Sequence, residues 1–276
     1  MYINAMKGGV LAIIVFSILS FFVSGSGPTD EIKVIISIST FVFSILAGFS
    51  ISRLTERYND LRNLIAEEDS LLLSIYKTSC LYGEGFSNKI RDSIDKFYII
   101  SFNYPFKSIK VSYKEVTPLF LQIFDDLKPM MRQKNQTPLA SVLRSLPGLE
   151  RVRNQISVRL QDKITRSKWF LLLTLASIII FSVYFTQGDA YYYKLISVAL
   201  SSAIVVILLI IRDYNNMETP GKLPLFESGQ ENLEAMDLKR YYPIGLKDRV
   251  PKGLKGYRVG VKQEKEKKVD LRYTVE

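Results

Sequence analysis

Apolar residues in this chain gather into four long runs separated by charged stretches, rather than scattering as the core of a water-soluble domain would require. The runs are Gly8–Ser24, Ile32–Ser52, Trp169–Thr186 and Leu195–Ile211, and Lys33 is the only charge inside any of them. Each is about 17–21 residues long, which at a rise of ~1.5 Å per residue matches a hydrocarbon thickness of ~30 Å. The pattern predicts an N-terminal transmembrane hairpin over residues 1–52 (spans 8–24 and 32–52) and a second over 169–211 (spans 169–186 and 195–211). Short outer connections, Gly25–Glu31 and Gln187–Lys194, force each pair to run antiparallel. Tyr191, Tyr192 and Tyr193 suit the membrane–water interface, where the ring is half buried and the hydroxyl wet. The first run also resembles a signal peptide's apolar stretch. Only Lys7 leads it, however, and Ser24-Gly25-Ser26-Gly27-Pro28 reads as a turn rather than a cleavage site, so a retained signal-anchor helix is expected.

Between the hairpins, residues 53–168 change period rather than composition alone. Leu54, Leu61, Leu64, Ile65, Leu71, Leu72 and Ile75 recur at three- and four-residue steps, so the second span is expected to continue as an amphipathic helix until Gly83-Glu84-Gly85. A second amphipathic piece, Ser87–Phe102, places Ile90, Ile94, Phe97 and Tyr98 on one face, and Pro105 ends it. Residues 114–133 predict another helix, interrupted near Pro129, followed by a polar loop at Gln133–Thr137. A short helix is expected to stop near Pro147-Gly148, and a further one to run from Leu149 without a break into the third span. The tail, 212–276, is rich in Gly and Pro and lacks sustained periodicity. It reads as an extended arm with a short helix at Gln230–Tyr241, either disordered or wrapped on a neighbouring subunit.

Charge gives the orientation. Of 37 Lys and Arg residues, 20 fall in 53–168 and 14 in 212–276, with Lys7 on the same side; only Lys33 and Lys194 lie at the opposite ends of the spans. Positive residues are retained in the cytoplasm, so both termini, the central region and the tail are expected inside a plasma membrane or bacterial inner membrane. The net charge of +10 is mixed with acidic residues along these segments. It suits attraction to anionic headgroups, and no nucleic-acid-binding module accompanies it.

The chemistry on offer is narrow. There is no histidine, and Cys80 is the only cysteine, which excludes His-based general-base catalysis, the usual zinc sets and an internal disulfide. No phosphate-cradling Gly-rich loop or nucleophile elbow occurs, so no catalytic residue, cofactor or metal site is expected. Glu67-Glu68-Asp69 and Asp125-Asp126 are read as solvated faces. None of the spans carries a charge deep in the bilayer, which argues against an ion-coupled carrier.

The second span is the most informative stretch. Phe41, Ile45 and Phe49 are spaced four apart on one helical face, Gly48 thins the helix beside them, and Ser37, Ser44 and Ser52 recur nearby. Two readings fit. Small residues favour close helix packing in lipid, whereas a bulky stripe repeated around an oligomer forms a constriction that excludes water.

At the inner end of this span Gly48-Phe49-Ser50-Ile51 is followed by Arg57-Tyr58-Asn59-Asp60-Leu61-Arg62. This resembles the bestrophin pattern, in which a Gly-Phe in the second transmembrane helix precedes Arg-Trp and an acidic residue at the same spacing. Tyr58 stands where Trp is usual, and Arg62 matches a second Arg of the bacterial branch. Arg57, Arg62 and Glu67 resemble the Arg-rich stretch and following Glu of bestrophin-like membrane proteins, and Arg153 and Arg159-Leu160 their basic run before the third span. The resemblance implies a pentameric channel with one second-span helix per subunit facing the axis and a hydrophobic neck at Phe41, Ile45 and Phe49. Arg57 and Arg62 are expected to anchor the helix stems through hydrogen bonds or ion pairs rather than to touch the ion. The family's early Pro in the second span is absent, as is a clear counterpart of the acidic calcium clasp of animal bestrophins.

Together these features predict an all-α fold of four transmembrane helices with a helical cytoplasmic domain formed by the connection between spans two and three. The expected function is an oligomeric ion channel, not an enzyme, acting on inorganic ions within a lipid bilayer. A non-conducting membrane scaffold or signalling protein is the rival.

Overall fold

The computed structural model describes residues 5–23, 25–27, 29–103, 109–128, 136–188, 190–217, 226–245, 250–251, 253–254, 256–260 and 273–275. For 109–116, 136–144 and 273–275 it describes the backbone. The chain divides into two compact units, one built from 1–58 with 163–219 and the other from 59–162 with 220–276.

The first unit holds the four apolar helices: α1 (Ala5–Phe22), the first part of α2 (Asp30–Ser79), α6 (Arg166–Phe185) and α7 (Tyr191–Asn215). Each is long and apolar enough to cross a membrane. Helix α1 packs along α7 through Gly8, Gly9 and Ala12, its buried small residues. A Cβ at Gly9 would stand 2.8 Å from Val206 Cγ2, so the Val206 side chain rests directly on the α1 backbone there and would have to shift for any larger residue. A second seam joins Phe43, Ala47 and Leu54 of α2 to Leu172, Ala176 and Ile179 of α6 and Ile204 and Ile211 of α7. Polar ties close one end of the bundle. Tyr184 Oη donates to the Phe16 carbonyl, and Gln187 Nε2 donates to the carbonyls of Ser20 and Val23.

Helix α2 does not stop where the apolar run ends. Its 50 residues correspond to about 75 Å at ~1.5 Å per residue. It ends in a 3-10 turn at Cys80–Tyr82, and Gly83 follows with φ of 100°, a left-handed conformation that other residues resist.

In the second unit, α2 is joined by α3 (Glu84–Asn103), α4 (Ile109–Leu127), α5 (Gln136–Gln161) and α8 (Glu227–Ala235). Its core contains Leu72 and Ile75 of α2, Ile90, Ile94, Phe97 and Tyr98 of α3, Ile123 and Leu127 of α4, and Leu146 and Leu149 of α5. The amphipathic face expected over Ser87–Phe102 is thus the one that α3 buries. The expectation near Pro129 lies outside the described residues.

Two local expectations are corrected. Helix α5 runs straight through Pro147-Gly148, and the break comes instead at 162–165, before α6. An interior Pro costs about 3 kcal/mol; Leu146 and Leu149, both buried on either side of the exposed Pro147, offset it through packing. At the break, Asn215 Oδ1 accepts from the Ile164 backbone N–H at 2.8 Å, satisfying a group that the interrupted helix would leave without a partner.

The tail is corrected as well. Residues 212–215 end α7 in the first unit, the described parts from Phe226 onward belong to the second unit rather than running as a free arm, and the helix lies at Glu227–Ala235, earlier than expected. Phe226, Leu233, Met236 and Tyr241 enter the same core as α3. Three short strands follow, β1 (Tyr241–Tyr242), β2 (Arg258–Gly260) and β3 (Tyr273–Val275). β1 pairs in parallel with β2 (Tyr241 opposite Arg258), and β2 antiparallel with β3 (Arg258 opposite Val275). Arg258, buried, donates both terminal nitrogens to Asp95 of α3 at 2.7 Å and so fastens β2 to the helical core.

Candidate functional site

Helix α2 presents two opposed faces within the first unit. At ~100° per residue, buried Phe43, Ala47 and Leu54 fall on one side and Phe41 and Ile45 on the other. Phe41 is 67% exposed, Ile45 41% and Phe49 73%. Gly48 is exposed beside them, and a Cβ there would meet nothing within 4 Å. Ser37, Ser44 and Ser52 share this outward side, with Val34 and Ile38. The stripe therefore does not pack within its own chain. It is an outward, largely apolar strip interleaved with hydroxyls.

The motif residues at the inner end separate. Arg57 is 2% exposed, and its Nη1 donates to the Asn215 carbonyl at 3.3 Å. That carbonyl is one of the orphaned acceptors at the C-terminus of α7, where the helix dipole favours a cation. Arg57 thus caps α7 from α2. Tyr58 is half-buried. Arg62 is exposed to solvent, so the anchoring expected of both arginines is visible at Arg57 alone. Glu67 is exposed too, with a carboxylate oxygen 3.6 Å from Arg151 on α5. Asp60 and Arg159 pair at 2.9 Å farther along the same two helices. These pairs flank an open groove lined by Asn63, Leu64, Asn154 and Gln155. Among the described residues, no three acidic or cysteine side chains converge on a position that would hold a metal ion.

The arrangement missed from sequence is a buried polar cluster around Asp69. The Asp69 carboxylate accepts from Tyr98 Oη at 2.9 Å and from Ser228 Oγ at 2.5 Å. Asn232 Nδ2 contacts both the Asp69 backbone carbonyl (2.6 Å) and Tyr98 Oη (2.8 Å). Burial pushes the Asp69 carboxyl up to about 6, against the lowering pull of the Ser228 and Tyr98 hydrogen bonds. Burial and the neighbouring Asp69 push Glu68 up to about 8, while Arg153 pulls it down. Glu68 keeps part of its surface in solvent, whereas Asp69 is buried. The acidic triplet read as a solvated face therefore splits, with only Glu67 fully outside. A sequence signal existed: Leu61, Ile65, Asp69, Leu72 and Tyr76 keep three- and four-residue steps, which put Asp69 in the apolar register.

Comparison with known proteins agrees with the architecture. The model of the Bestrophin-like domain matches residues 14–220. A search of curated proteins found no match. Among solved structures, a bacterial bestrophin homologue from Klebsiella pneumoniae in a tryptophan-to-alanine variant aligns with a TM-score of 0.60 and 12% identity, over 86% of this chain and 100% of that chain. A tyrosine-to-alanine variant of that homologue gives 0.59 and 12%, over 83% and 98%. A crystal structure described as a membrane protein gives 0.61 and 12%, again over 83% and 98%. At these identities the likeness establishes the fold. The family match spans well over half the sequence, as the residues around Gly48-Phe49 and Arg57 led one to expect, and this chain is a membrane protein of the Bestrophin-like domain family.

Proposed function

We propose that the chain is one subunit of a homo-pentameric ion channel, with α2 lining a pore along the five-fold axis. The observation that supports this most directly is the outward stripe of Phe41, Ile45 and Phe49, set opposite the face that α2 buries in its own bundle. Rings of such side chains around an axis exclude water and oppose ion passage until they move apart, while the interleaved serines offer hydroxyls to a passing ion. Arg57 holds the inner end of the lining helix in register with α7. The positive charge of residues 53–168 and 212–276 supports a reading in which they lie, with both termini, in the cytoplasm of a cell bounded by a plasma or bacterial inner membrane. There it raises the local concentration of anions near the pore mouth. Inorganic ions and lipid are the partners; no catalytic step or cofactor enters this reading.

The test is current across planar bilayers containing the purified full-length protein, with its oligomeric mass measured first. Phe49→Ala and Ile45→Ala are expected to increase conductance, because each widens and wets the constriction. A monomer by mass, or silence from a verified oligomer over a range of ions and voltages, would overturn the proposal. The second of these outcomes would leave a scaffold that binds a partner through its helical connection.

A further inference from the structure

We propose that the inner end of α6 binds anionic phospholipid: Lys163, Arg166 and Lys168 hold the headgroup phosphate, and the exposed apolar face of the helix holds the acyl chains. The surface stands whether or not the protein conducts. Three long-range hydrogen bonds fix the level of these residues. Asn215 Oδ1 accepts from the Ile164 N–H at 2.8 Å, and the Asn215 carbonyl accepts from Arg57. Asp213 Oδ2 accepts from the Ala5 N–H at 2.8 Å. The ends of α1 and α7, the segment entering α6 and the middle of α2 therefore meet at one level. Each apolar run gives way to charge close to it, at Lys7, Arg53, Lys168 and Arg212. Lys163 adjoins this junction, and Arg166 and Lys168 follow within about one helical turn of it. Trp169, half-buried, comes directly after them, as suits an indole at the membrane–water interface.

The cations of this end divide into those the bundle uses and those it does not. Arg212 pairs with Asp213 at 2.8 Å, and Arg57 caps α7. Lys163, Arg166 and Lys168 are exposed, and among the described residues none of the three meets a carboxylate. The opposite end of the unit is balanced instead: Lys33 pairs with Asp30 at 2.9 Å beside Glu31, and Lys194 lies over the Phe21 ring at 5.7 Å. Positive charge left over at one membrane boundary complements the leaflet that carries anionic lipid, the cytoplasmic one in the orientation proposed above. The helix face below Arg166 fits a lipid rather than a free phosphate. At ~100° per residue, Arg166, Phe170, Leu173, Ser177 and Phe181 share one side of α6, and the last four of these are exposed. The other side, with Leu172, Ala176 and Ile179, is buried in the bundle. A cation at the boundary followed by an apolar face repeats the order of a phospholipid, phosphate first and hydrocarbon after. Arg grips the phosphate through its planar fork, and Lys adds a point charge. A zwitterionic lipid offers the same phosphate but brings its own cation, so the preference falls on lipids of net negative charge.

Thermal unfolding of the full-length protein in detergent, titrated with phosphatidylglycerol, phosphatidylcholine or soluble glycerol phosphate, tests the surface. Phosphatidylglycerol should raise Tm well above the other two, because a ligand of the folded state stabilises it. Combining Lys163→Gln, Arg166→Gln and Lys168→Gln should raise the phosphatidylglycerol concentration needed by about fivefold per residue, on the order of a hundredfold together. Melting in phosphatidylcholine should stay as in the parent, and Lys33→Gln with Lys194→Gln should leave the phosphatidylglycerol response intact. Labelling by an amine reagent reads the unmodified protein directly: phosphatidylglycerol should shield Lys163 and Lys168, and phosphatidylcholine should not. An equal Tm response to the two lipids, or one undiminished in the triple variant, would overturn the proposal. So would an equal effect of glycerol phosphate, which would make this a phosphate site without the acyl face. Shielding of Lys163 and Lys168 in lipid-free protein would overturn it too, by placing a neighbouring subunit over them.

Discussion

The two halves of α2 are one uninterrupted helix, yet they obey opposite rules. In the half within the apolar unit, the exposed face carries Phe41, Ile45 and Phe49 beside Gly48 and serines, while Phe43, Ala47 and Leu54 are buried against the neighbouring helices. In the half beyond Tyr58 the buried face holds Leu61, Leu72 and Ile75, while the exposed face carries Arg62 and Glu67. The difference follows from the solvent each half meets. Helices in a membrane associate through close packing rather than by withdrawing large apolar side chains from water, so the single chain can leave Phe41, Ile45 and Phe49 uncovered. In a water-exposed unit the same exposure costs about 25 cal/mol per Å² of apolar surface. A helix can therefore keep its backbone geometry while the meaning of its exposed face reverses.

The comparison breaks first at its largest contrast. Leu72→Ala, within the second unit's core, is expected to cost about 2–5 kcal/mol, read as a large fall in Tm in detergent. Phe49→Ala, on the exposed stripe, should leave the dispersed subunit's Tm almost unchanged. If the two variants melted alike, the stripe would be part of a core after all. Next in size is Arg57→Ala, which removes a charged donor from the Asn215 carbonyl at the junction of the two halves. A loss of about 1.5–3 kcal/mol is expected, with earlier exchange of the last amides of α7 as its signature; stability within error of the parent would mean water replaces the cap at no cost. Gly48→Ala is smaller and has the opposite sign. Open space around Gly48 predicts a gain of about 0.4–1 kcal/mol in the dispersed subunit, while a loss confined to the oligomer would place a neighbouring subunit against that face. Arg62→Ala closes the series within about 0.5 kcal/mol; a larger loss would show that Arg62 has a partner in the assembly.

Much of the fold was legible because lipid imposes a length and a composition. The four apolar helices, the continuation of the second beyond its span, the break at Gly83 and the apolar face of α3 all followed from run length or period. Less legible were features whose cause lies far away in sequence. Pro147 looked like a helix end, and only the core around Leu146 and Leu149 shows why the helix continues. The tail looked like an arm because Gly and Pro mask strands as short as β1 and β2, and because Asp95, which fastens Arg258, is 163 residues distant. The stripe of Phe41, Ile45 and Phe49 was legible from spacing alone, but whether its own chain would cover it or leave it exposed was not.

By itself, then, the sequence determined the number and length of the apolar helices, the period of the helical connection, the side on which positive charge collects and the family. These are local quantities, set by hydropathy and by the fixed rise and pitch of the helix. The tertiary structure decided which face of α2 is left uncovered, that Arg57 rather than Arg62 caps α7, and that Asp69 is enclosed by residues from α3 and α8. Each of these depends on which distant segment lies opposite, and helical period carries no information about that partner. It places side chains on a face; only packing says what the face meets.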